Sequence, residues 1–161
     1  MKLFAALLAT VTLATQSLAV PAPAGTPKQV VIHAGIDEGG LALGGDFLVN
    51  DTATESYGGY VRLYSKDEDK GAPAIFALGA SARGHVKAGI FDYFLAPGFG
   101  LIHHNLFDTE LLFGPTLSYG LTADIDPYIG LGIENTKLYS WMGEYKGLIK
   151  DTFLAHVRFR L

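Results

Sequence analysis

The chain has 161 residues, a formal charge of −4 at pH 7, 49% apolar residues, 20 glycines and no cysteine. The lack of cysteine excludes a disulfide scaffold, a thiolate metal site and a lipoprotein anchor through a lipidated N-terminal Cys. The acidic balance, with no Lys/Arg cluster, excludes nucleic acid as the expected partner, since proteins that bind it carry a basic patch or stripe.

Residues 1–19 read as a secretory signal: Lys2 gives the positive start, Leu3 to about Leu13 a short apolar stretch, and Ser17-Leu18-Ala19 a small-x-small cleavage site. That apolar run is too short for a spanning helix, which needs about 20 residues. Removing the signal, which carries Lys2 and no acid, leaves a charge of −5. Residues 20–27, Val-Pro-Ala-Pro-Ala-Gly-Thr-Pro, read as a stiff extended leader, and residues 28–161 as one domain.

Past Pro27 the hydrophobic period is two rather than 3.6 and is punctuated by Gly, Pro, Asp and Asn, which predicts an all-β domain. Eight strands are expected, at about 28–37, 39–49, 56–65, 73–89, 92–105, 110–123, 127–141 and 149–161. In the fourth, Phe76, Leu78, Ala80 and Ala82 oppose Gly79, Ser81, Arg83, His85 and Lys87; in the fifth, Tyr93, Leu95, Phe99 and Leu101 oppose Ala96, Gly98, Gly100 and His104. The sixth sets Leu111, Phe113, Leu117, Tyr119 and Leu121 against Gly114, Thr116, Ser118, Gly120 and Thr122. The seventh sets Ile129, Leu131, Ile133, Tyr139 and Trp141 against Gly130, Gly132, Glu134 and Thr136. The last alternates to its end, with Phe153, Ala155, Val157, Phe159 and Leu161 on one face, Thr152, His156, Arg158 and Arg160 on the other, and Leu154 the intruder.

One face of each strand is thus large and apolar, the other small or ionic. An eight-stranded barrel has an interior just wide enough for side chains, so the small and ionic face is expected inside and the apolar face against lipid. The fold expected is an eight-stranded antiparallel up-and-down transmembrane β-barrel, the smallest of the even-numbered closed sizes. The inward polar set is Asp46, Arg62, Arg83, His85, Lys87, Glu134, His156, Arg158 and Arg160, with Asp46 and Glu134 as counter-ions in a plug of ion pairs or, at most, along a narrow ion-selective pore. Tyr57, Tyr93, Tyr119 and Phe159 are expected as an aromatic girdle at the periplasmic rim, and Phe113, Tyr139, Trp141 and Phe153 at the outer rim. With the N-terminus in the periplasm, turns at 50–55, Phe91-Asp92 and 124–127 lie on that side; the longer connections at 65–73, 105–109 and 142–148 lie outside, where specific contacts would fall on Lys66–Lys70 and Gly143–Lys146.

With its signal peptide, eight amphipathic strands, the Pro127-Tyr-Ile-Gly-Leu-Gly132 strand opening and an amphipathic final strand, the chain resembles the small eight-stranded outer membrane barrels, those like OmpX and the transmembrane domain of OmpA. The resemblance covers about residues 28–161. It implies a bacterial outer-membrane location, lipid and lipopolysaccharide as surroundings, and delivery through the barrel assembly machinery, which reads a terminal aromatic; here Leu161 is last and Phe159 is the nearest aromatic. It implies a monomer without the cell-wall tether of the OmpA type.

Chemistry is expected to be absent. The His-x-Ser strand motif of the barrel deacylases is missing, since His85-Val-Lys87 and His156-Val-Arg158 lack the serine. His103 and His104 point to opposite faces of a strand and cannot easily share a metal. Gly98-Phe-Gly100 and Gly130-Leu-Gly132 fall inside strands with no helix following, so they are not nucleotide loops. The acidic runs Asp67-Glu68-Asp69 and Asp124/Asp126 lack calcium-loop spacing and read as solvated charge. No cofactor is expected. Two alternatives remain open: a soluble lipocalin-like barrel with its apolar face inward around a small ligand, and a lipid A-modifying barrel enzyme.

Overall fold

The computed structural model describes residues 28–49, 54–105, 109–141 and 146–161, with backbone alone at 109 and 110; the signal and leader expected at 1–27 lie outside them. Eight strands follow in order: β1 (Lys28–Asp37), β2 (Gly40–Val49), β3 (Glu55–Tyr64), β4 (Ala74–Ala88), β5 (Phe91–Asn105), β6 (Thr109–Asp124), β7 (Ile129–Ser140) and β8 (Gly147–Arg160). Each pairs antiparallel with the next, and β8 pairs with β1, so the sheet is a closed barrel.

The register measures the tilt. Gln29 pairs with Leu48, and the row continues through Gly58, Ser81, Gly98, Thr116 and Leu138 to Lys150, whereas across the closing seam Gln29 faces Arg160. The ladder returns ten residues further along β8, from 150 to 160. A stagger of that size on eight strands sets a tilt of about 40°, within the range for closed barrels.

Turn chemistry closes the hairpins. Gly89, at φ 65, opens the two-residue link from β4 to β5, a conformation that a side chain would resist. Before β7, the Asp126 carboxylate accepts hydrogen bonds from the backbone N–H groups of Tyr128 (2.7 Å) and Ile129 (2.8 Å), an Asx turn. The break expected at Phe91-Asp92 thus falls two residues earlier, and both residues belong to β5.

The alternation read from the sequence sets the two surfaces. Ile32, Leu43, Phe47, Leu63, Leu78, Leu95, Leu101, Leu131 and Ile133 stand exposed on the outer wall, while the polar set is buried inside. This is the reverse of a soluble barrel folded around an apolar ligand site. On the outer wall Asn135 donates to Asp151 (2.7 Å), which also pairs with Lys137.

The interior is not small and ionic throughout. Towards the end away from the chain termini, Tyr60, Tyr64, Ile75, Ile102, Leu112, Leu138 and Leu154 meet with Ala42 and Ala77 in an apolar core drawn from β2 to β8. Leu154 is therefore no intruder but part of this plug. Large inward residues fit because small ones face them: a Cβ at Gly79 or Gly100 would lie 2.5 or 2.6 Å from Tyr60 Oη. Gly79→Ala should therefore destabilise the barrel by about 1–3 kcal/mol through overpacking. Gly84→Ala, where the nearest atom to the new Cβ is 3.9 Å away, should be near neutral, and urea titration of the two variants in detergent separates them.

Candidate functional site

The polar interior lies between the apolar core and the end that holds both termini, in two layers of ions. In the middle layer, Asp46 on β2 receives Arg62 from β3 (2.6 Å) and Arg83 from β4 (2.8 Å), and Glu134 on β7 receives Arg62 (3.0 Å) from across the lumen. Thr136 donates to Glu134 (2.9 Å), and the Arg83 guanidinium stacks on the Phe94 ring at 4.1 Å. His33 and His156 complete the layer, their ring centroids 5.6 Å apart. In the terminal layer, Arg158 pairs with both Asp92 and Asp124, and Arg160 with Asp124 (2.9 Å). A separate pair, Asp37–Lys150 (2.8 Å), is buried beside Tyr64 near the far end.

The structure thus brings together Asp46, Arg62, Arg83, His85, Glu134, His156, Arg158 and Arg160 inside the barrel, each at most 6% exposed. Lys87, expected with them, is exposed near the end of β4, and its cross-strand neighbour Asp92 pairs instead with His85 and Arg158. Asp46 and Glu134 serve Arg62 and Arg83, but the counter-ions of Arg158 and Arg160 are Asp92 and Asp124. Sequence reading placed those two acids in turns, and Asp124 as solvated charge. Asp92 is the second residue of β5 and Asp124 the last of β6, and inward parity carries each into the lumen. His33 and Gln29, both 0% exposed, were also missed, although alternation with the outward Ile32 points them inward.

On the outer wall, Tyr57 and Tyr93 lie near the termini end with Phe159. Phe113 and Trp141 both pack on Phe99 (centroids 4.3 and 5.2 Å) near the opposite end, where Tyr139 also lies. Tyr119 and Phe153, expected at opposite rims, instead flank Asn135 in one row across β6, β7 and β8, about midway up the wall. The stagger of the ladder, invisible in any single strand, puts them there. Of the loops expected to carry contacts, 65–73 is ordered by Lys66–Glu68 (2.7 Å) and Lys70–Asp67 (3.1 Å) pairs, which hold both carboxyls below their ordinary pKa. Gly143–Tyr145 lies outside the described residues.

One triplet has the connectivity of a nucleophile, base and orienting acid: Ser56 Oγ lies 2.9 Å from His85 Nε2, and His85 Nδ1 lies 3.0 Å from Asp92 Oδ1. Ser56 is 1% exposed and also receives the Gln29 amide (3.3 Å), and Asp92 is shared with Arg158. Every member is engaged, so the triplet closes the wall rather than presenting a nucleophile. A fluorophosphonate probe should accordingly leave the folded barrel unlabelled; labelling that disappears in Ser56→Ala would make the site catalytic.

No protein-family model matches the chain, and no curated protein matches it in sequence. Among solved structures, the crystal structure of Neisserial surface protein A is similar over 83% of this chain and 94% of its own, at 12% identity and a TM-score of 0.61. A de novo designed transmembrane β-barrel is similar over 88% of this chain and 99% of its own, at 11% identity and a TM-score of 0.58. At such identities the likeness is one of fold, and the fold is that of the small eight-stranded transmembrane barrels.

Proposed function

We propose that the chain is a small integral outer-membrane barrel with a sealed lumen and a structural or surface-interaction role. The single observation that carries this reading is the outer wall: apolar side chains stand exposed around the barrel, an arrangement that water penalises and lipid does not. The burial of the ion-pair layers and the apolar core beyond them favours a plug over a pore. Lys28 and Leu161 lie at one end; with that end in the periplasm, the longest described connection, 65–73, faces outward with its Lys and Asp/Glu side chains towards lipopolysaccharide or a surface partner. Export would use residues 1–19, and assembly the β8 strand with Phe159 in place of a terminal aromatic. The protein is expected to act as a monomer.

Expressed with its leader, the protein should stay with outer membranes through an alkaline carbonate wash and give no channel currents in planar bilayers. Recovery in the soluble periplasmic fraction would overturn the membrane assignment, and steady ion conductance would overturn the sealed lumen.

A further inference from the structure

The middle layer contains donor atoms that the ion pairs leave over. His33, Glu134 and His156, each at most 3% exposed, offer ligand atoms within 4.8 Å of one another. His156 Nδ1 and Glu134 Oε2 have no hydrogen-bond partner among the described residues, and neither ring nitrogen of His33 makes an aligned hydrogen bond. Buried polar atoms are rarely left so, and a cluster of them calls for an occupant.

We propose that these three residues form a transition-metal site in the barrel lumen, of the two-histidine, one-carboxylate kind that suits Zn²⁺. The three ligand atoms lie within 4.8 Å of one another, so a modest side-chain movement reaches the ligand–ligand edge of about 3.3 Å that a tetrahedral zinc with bonds near 2.0–2.1 Å requires. Thr122 Oγ1, 2.9 Å from His156 Nε2, orients that imidazole, and Asp46 Oδ2 lies 3.2 Å from His33 Nε2, in reach of it as a partner once the ring turns to a metal. With Nε2–H donating to Thr122, the Nδ1 lone pair of His156 points free, the outer-shell arrangement that metal-bound histidines usually have. Glu134 Oε1 already accepts from Arg62 and Thr136, whereas Oε2, 4.0 Å from Arg83 Nη2 and without a hydrogen-bond partner among the described residues, is the oxygen that would turn to the ion.

The ligand types choose the metal class. The site offers two imidazoles and one carboxylate, Asp46 being held by Arg62 and Arg83. Ca²⁺ and Mg²⁺, which need several oxygen ligands, are disfavoured, whereas an ion that binds neutral imidazole nitrogen is not. The sealed lumen implies loading during folding rather than exchange through the closed barrel.

The test is to refold untagged full-length mature protein with Zn²⁺, remove loose metal with a chelator, and measure zinc by mass spectrometry on the fraction that runs as folded barrel. One zinc per barrel is expected, lost in His33→Ala and in His156→Ala and kept in His103→Ala, whose imidazole is exposed on the outer wall. Thr122→Val keeps all three ligands and should weaken zinc retention about 10–100-fold against the chelator. Co²⁺ in place of Zn²⁺ should give the visible absorption of a tetrahedral nitrogen–oxygen site in the wild type, which reads the site even if an alanine variant fails to fold. Folded wild type that retains no zinc and shows no Co²⁺ bands, or zinc held equally by His156→Ala, would overturn the proposal.

Discussion

Arg158→Met should cost about 3–5 kcal/mol, the scale of breaking a buried ion pair on one side. Arg158 is 1% exposed and is the shared cation of Asp92 and Asp124, so its loss leaves two carboxylates inside the barrel. Asp124 keeps Arg160 and Asp92 keeps only His85, which makes Asp92 the group left in deficit. Adding Asp92→Asn to Arg158→Met should therefore recover a large part of the loss, because the amide needs no counter-charge. Urea titration of the two variants in lipid vesicles checks this. If Arg158→Met unfolds within about 0.5 kcal/mol of the wild type, the range of an ordinary surface substitution, the terminal layer does not stabilise the barrel.

The second large effect belongs to the outer wall. Phe153→Arg and Leu117→Arg each place a charge near the middle of the wall and should each cost insertion about 2–4 kcal/mol, as charged residues do at the bilayer midplane of such barrels. Thr116→Asp, one residue from Leu117 but inward, faces a cavity of about 10 Å³ lined by Arg62 and Arg83, where a carboxylate meets cations. It should impair insertion much less. Folding yield into vesicles of matched composition measures all three, and equal tolerance would mean that the two faces had been assigned the wrong way round.

Period-two alternation is local, so it carried the number of strands, their bounds to within about two residues, and the face of nearly every residue that was read; only the placement of Lys87 inside failed, and that residue lies where β4 runs out. What lay beyond the sequence depends on quantities shared between strands. The ten-residue stagger decides that Tyr119 and Phe153 fall in one row, and that Arg158 meets Asp92 from a strand 66 residues away. Neither can be read from one strand. His33 and Asp92 could have been found, since each alternates with an outward apolar neighbour. The apolar core was missed for a different reason: Leu154 was read as a break in the pattern and Ile75, Ile102, Leu112 and Leu138 were assigned to neither face, although each is inward by parity.

The central claim is a closed membrane barrel, and electrophoretic mobility on heating tests it most directly. Outer-membrane fractions from cells expressing the full chain are run on SDS gels with and without boiling. The unboiled sample should migrate as a compact band that shifts on heating, because a closed hydrogen-bonded ladder with buried ion layers resists detergent. A single mobility in both samples, with the protein in the soluble fraction, would contradict it.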